Sequence, residues 1–193
     1  MPSSGARVRA PLTKAIVELL GSQPAGVRVA VRARAASAIS HVEAASRLDW
    51  IPLAVQLEIL AALHAEVGPA GYDAFCAAHF GSTVEQPLMR SVFDGALRVF
   101  GVSPASLYRM FPKSWAMMSA ECGVVELEGD LSPKGTVLRV SELPVDERHI
   151  DLFVRGFRAT FRGPLDVLRR PGDVELTSFN RASRTATYLS KWA

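Results

Sequence analysis

The chain has 193 residues, 49% of them hydrophobic, with a formal net charge of +3 and two cysteines. That length can bury a core without staples, the apolar content excludes a disordered chain, and Cys76 and Cys122 read as reduced, buried thiols. No apolar run approaches the ~20 residues of a membrane span, and residues 1–7 lack the apolar stretch of a signal peptide, so a cytoplasmic protein is expected.

Residues 1–9 read as a flexible arm. A single α+β domain follows over 10–193, helical from 10 to 121, then sheet plus one long helix from 123 to 192. Pro11 suits a first helical turn, and Leu12, Ile16, Leu19 and Leu20 make a stripe that Gly21 ends. The run Val27 to Arg32 fits either a strand or a helix, and its alanine-rich continuation favours helix. Pro52 opens a helix with Leu53, Leu57, Leu60, Leu63 and Val67 on one face, closed by Gly68-Pro69. Tyr72, Phe75, Cys76, His79 and Phe80 form the next stripe, stopped near Gly81. Met89, Val92, Phe93, Ala96 and Phe100 form the one after, with Arg90, Asp94 and Arg98 outside.

Ser103-Pro104 reads as an N-cap and a first-turn proline, with Phe111-Pro112 breaking that helix and Lys113 to Glu121 forming another. From Gly123 the period changes to two. Val124 to Glu128 and Thr136 to Val140 predict a hairpin, and Val174 to Phe179 with Thr185 to Trp192 predict two closing strands. Between them, Ile150, Phe153, Val154, Phe157 and Phe161 predict a helix over 145–162 that Gly163-Pro164 ends. The expected fold is therefore α+β, a helical layer packed on a small antiparallel sheet.

The chemistry is sparse. The sequence has no paired-cysteine or H-E-x-x-H metal signature, no G-x-S-x-G elbow, no Walker loop and no dinucleotide glycine pattern. A non-enzymatic protein with no metal and no cofactor is expected. Of the four histidines only His79 lies on a strongly apolar face; it could ligate a haem iron, but a satisfied core histidine is the simpler reading. Cys76 sits three residues before it, where packing explains it as well as a Cys–His pair does. A helix layer on a sheet can also enclose a pocket for an apolar small molecule, and the candidate lining is Phe75, Cys76, His79, Phe93, Phe153 and Phe157. Separately, Arg148, Arg155, Arg158 and Arg162 form a cationic stripe on the long helix. It suits a polyanion or nucleic acid, although a solvated outer face looks the same and no stacking platform accompanies it.

The order of motifs resembles a known group. Trp50-Ile51-Pro52-Leu53, Gly101-Val102-Ser103-Pro104, Leu107 to Pro112, Trp115, Glu121 to Glu126, the Phe153 to Phe161 helix and the terminal strand ending in Trp192 are similar to a myxobacterial family of comparable length. Its layout is shared by 4-vinyl-reductase-like domains, haem–nitric-oxide-binding domains and the TRAPP vesicle-tethering subunits. The resemblance spans roughly residues 8–192. It implies a sensor or adaptor domain, a homodimer acting as a scaffold for an unidentified partner protein, and a small apolar ligand. The chain departs from those relatives at two points. Its closing strands carry no cysteine pair, and Ser183-Arg184 does not reproduce the Y-x-S-x-R haem-propionate motif, so the resemblance carries over neither zinc nor haem.

Overall fold

In the computed structural model, residues 5–84, 90, 95, 101, 103–132 and 134–193 are described. The chain starts with a short strand β1 (Arg7–Arg9), then helices α1 (Ala10–Leu20), α2 (Ala25–Arg34) and α3 (Ala36–Ala44). A second short strand β2 (Trp50–Pro52) leads into α4 (Leu53–Val84). Next come α5 (Pro104–Met118), β3 (Ser119–Ala120) and a hairpin of β4 (Val124–Ser132) and β5 (Gly135–Ser141). The chain closes with α6 (Ile150–Val167), β6 (Gly172–Asn180) and β7 (Thr185–Trp192). Helices on a small antiparallel sheet are the α+β architecture that the change of hydrophobic period predicts. Among the described residues no helix is long and apolar enough to cross a membrane.

Residues 7–9, expected to belong to a flexible arm, instead form the middle strand of a three-stranded sheet ordered β2-β1-β3. Val8 pairs with Ile51 on one side and Ser119 on the other and is fully buried. Flanking bonds fix the strand: Leu53 N donates to Ala6 O at 2.8 Å and Ala10 N to Asp49 O at 3.0 Å. Arg9 lies 4.0 Å over the Trp50 ring, a cation–π contact. A three-residue strand has too little alternation to announce itself, and its pairing partners lie far along the chain.

Helix α4 breaks where the sequence predicts. Gly68 adopts φ 67°, a conformation that glycine enters at no steric cost, and Pro69 starts the next turn. Two other prolines behave differently. Pro112 lies inside α5 and Pro164 inside α6, so neither helix stops where expected. An interior proline costs about 3 kcal/mol. On α5, however, Leu107, Tyr108 and Phe111 before the proline and Met118 after it share one buried face, and each such side chain contributes roughly 1.5–3 kcal/mol. Burial outweighs the missing bond. On α6 the same holds for Phe161 and Leu165.

The second sheet is ordered β4-β5-β7-β6, all neighbours antiparallel. Along β7, Ala186, Tyr188, Ser190 and Trp192 alternate inward. Helix α6 lies between this face and α4, also touching α5. Three buried tyrosines hold it there. Tyr72 from α4 donates to Leu152 O at 2.8 Å, Tyr188 from β7 to Val154 O at 2.8 Å, and Tyr108 from α5 to Phe161 O at 2.6 Å. Each carbonyl has a second lone pair, so these bonds add to the helical ladder.

Candidate functional site

Where α1, α4, α5 and α6 converge, they leave a cavity of about 130 Å³. Val8 of β1, Leu12 and Ile16 of α1, and Gln56 and Leu60 of α4 form one side. Past the Gly68 break, α4 supplies Tyr72, Phe75, Cys76, His79, Phe80 and Thr83. Helix α5 adds Phe111, Ser114, Trp115 and Met118, and α6 adds Phe153, Gly156, Phe157 and Thr160. Five of the six residues expected to line a pocket (Phe75, Cys76, His79, Phe153 and Phe157) therefore meet at one place. Phe93 falls outside the described residues, as does the helix stripe expected around it.

The wall is aromatic and its polar groups are mostly spoken for. Trp115 stands edge-on to Phe157 with ring centroids 4.9 Å apart, and its Nε1 donates to Gly123 O at 2.9 Å. Thr83 Oγ1 donates to His79 O at 2.8 Å, and Thr160 Oγ1 to Gly156 O at 3.0 Å. Thr13 Oγ1 donates to Gln56 Oε1 at 3.0 Å, which leaves the Gln56 Nε2 donor. Burial pushes the Cys76 thiol up to about 12 and the Tyr72 hydroxyl well above its ordinary value. The cysteine is therefore a thiol at neutral pH, not a nucleophilic thiolate.

His79 Nε2 is 2.9 Å from Leu12 O. A carbonyl only accepts, so Nε2 carries the proton and the neutral ring offers Nδ1 as an acceptor. Burial lowers the His79 pKa below its ordinary 6.5. The unfolded chain therefore takes up this proton first, and the stability from a neutral His79 is lost as pH falls below about 6.5. His79→Gln keeps a donor toward Leu12 without the titration. Urea unfolding at pH 7.5 and 5.5 should show a smaller loss in the variant than in the wild type. Parallel losses would exclude His79 as the source.

Ser114 was not among the residues expected at a site. It is 8% exposed, and its Oγ makes no hydrogen bond. A buried hydroxyl without a partner costs about 1–3 kcal/mol, so this one is an unmet demand in the cavity wall. The signal in the sequence was the 111-114-115-118 spacing of one helical face, hidden by reading Pro112 as a break.

The arginine stripe meets carboxylates of its own fold. Arg155 grips Asp73 with two bonds of 2.7 and 2.8 Å. Arg158 Nε donates to Val174 O at 2.9 Å, and Arg162 reaches Asp166 at 3.3 Å and Asp173 at 3.2 Å. Arg148 is exposed and precedes α6. Arg155 and Arg158 instead border a shallow groove of about 680 Å³ beside β6, shared with Asp151, Asp173 and Glu175. Among the described residues no cluster of His, Cys, Asp and Glu could hold a metal ion.

No family model matches the chain, and no curated protein aligns with it. Solved structures do resemble it across nearly the whole length. An Fe(II) unliganded H-NOX protein from K. algicida superposes with a TM-score of 0.64 at 7% identity, covering 96% of each chain. An oxygen-binding H-NOX domain related to soluble guanylate cyclases, in its oxygen complex, gives 0.65 at 11% identity over 95% of this chain and 94% of that one. A T. tengcongensis H-NOX mutant gives 0.63 at 10% identity over 95% and 97%. At such identities the likeness is one of shape: the chain has the fold of H-NOX domains.

Proposed function

We propose that this chain is a sensor domain whose central cavity takes up a neutral, apolar small molecule without turning it over. The observation that carries the reading is the aromatic cavity with one buried hydroxyl left unmatched. An engineered apolar cavity of about 150 Å³ takes up benzene or xenon, and this one is of similar size at about 130 Å³. Binding rather than catalysis is favoured because Cys76 and Tyr72 are held protonated and His79 neutral in an apolar wall.

Iron and haem belong to the H-NOX neighbours, and the described residues of this chain do not fit a haem. The cavity of about 130 Å³ lies well below the roughly 300–1,000 Å³ of pockets for drug-sized ligands. His79, the one histidine among the described lining residues, binds Leu12 O through Nε2 and leaves only Nδ1 open. Among the described lining residues no lysine or arginine is present to pair two propionates.

Helix α6 is the route by which occupancy would be read outside. Its Phe153 and Phe157 line the cavity, while Arg158 and Arg162 hold edge strand β6 through Val174 O and Asp173. A ligand that shifts α6 therefore shifts an exposed strand.

Toluene and haemin, added in parallel, test the reading. Toluene at about 100 times its Kd should stabilise the fold by about 2.7 kcal/mol, a rise in Tm of roughly 5–10 °C, while haemin gives no bound Soret band. No shift with toluene, together with a Soret band from haemin, would reverse the conclusion.

A further inference from the structure

We infer that the cavity selects ligands by one hydrogen-bonding group, and that its ligand class is a neutral single-ring aromatic bearing a hydroxyl, the phenol class. The inference rests on the reading of the cavity as a ligand site and goes beyond it in naming what the site recognises. Size sets the first limit, since about 130 Å³ admits one ring and little more. The walls set the second. Phe75, Phe111, Trp115, Phe153 and Phe157 offer ring faces and edges to an aromatic guest.

Polar atoms set the third. Ser114 Oγ both donates and accepts and is buried without a partner. In the same lining, Gln56 Nε2 is a donor and the neutral His79 leaves Nδ1 as an acceptor. A guest hydroxyl also donates and accepts, so it can meet Ser114 in either sense. A carboxylate or ammonium would enter with its charge unpaired, because no charged side chain lines the cavity among the described residues.

Calorimetric titration of phenol, toluene and benzoate into the wild type and Ser114→Ala separates the possibilities. A purely apolar cavity favours toluene, because phenol must shed the water on its hydroxyl. The wild type should bind phenol at least as tightly as toluene and should not bind benzoate. In Ser114→Ala, phenol affinity should fall about tenfold while toluene changes less than about twofold. The variant removes an unpaired buried hydroxyl, so it should fold at least as well as the wild type. If the wild type binds toluene and excludes phenol, or if the phenol-to-toluene ratio is unchanged in the variant, the selectivity is wrong while the cavity stands. If benzoate binds, the exclusion of charge is wrong. If neither phenol nor toluene binds, the ligand site itself falls.

Discussion

Tyr108→Ala is expected to lower the unfolding free energy by about 3–5 kcal/mol, and Tyr108→Phe by about 1–3 kcal/mol. Tyr108 is fully buried and sits where α5, α6 and β7 meet. Its single hydroxyl proton goes to Phe161 O at 2.6 Å, so Ser190 Oγ, also 2.6 Å away, donates to the phenol oxygen. Phenylalanine keeps the ring contacts with Trp192 and Phe111, whose centroids lie 5.3 and 5.9 Å off, but strands the fully buried Ser190 hydroxyl. Alanine removes the ring as well and opens a cavity among aromatic neighbours. Urea denaturation followed by circular dichroism measures both variants. A Phe variant within about 0.3 kcal/mol of the wild type would show that the hydroxyl chain contributes little net stability.

Gly163→Val should cost about 3 kcal/mol, the upper end for an overpacked core. Helix propensity argues the other way, since glycine inside a helix is about 1 kcal/mol worse than alanine. Sterics decide. Gly163 is buried in α6, and a Cβ built there would fall on the Phe80 ring. Valine adds two more carbons in the same direction. Phe80 also lines the cavity, so the ring's way out is into the ligand space. The variant should therefore lose toluene binding as well as stability. A variant as stable as the wild type that still binds toluene would mean that Phe80 relaxes elsewhere.

Legibility in the sequence followed the range of the interactions involved. The α4 break at Gly68, the Ser103 cap and the β4–β5 hairpin depend on neighbouring residues, and each was readable from local turn and capping chemistry. The grouping of Phe75, Cys76 and His79 on one face of α4, and of Phe153 and Phe157 on one face of α6, was readable from three- and four-residue spacing. Strand β1 was not readable, because its partners Ile51 and Ser119 lie 43 and 111 positions away. Pro112 and Pro164 misled for a related reason. The local rule ends a helix there, while burial of Phe111, Met118 and Leu165 carries it on. The arginine stripe has the helical period of an outer face, but two of the carboxylates that meet it, Asp73 on α4 and Asp173 on β6, come from other parts of the chain. Ser114 was missed because a break at Pro112 hides the helical face it shares with Phe111, Trp115 and Met118, and its unpaired hydroxyl shows only in the structure.

The central claim is that these helices line an apolar space the size of a small molecule, and xenon tests it most directly. In a crystal pressurised with xenon, one atom should occupy the space bounded by Phe75, Trp115 and Phe157, with the backbone unmoved. A crystal with no xenon there and those rings collapsed into contact would contradict the account.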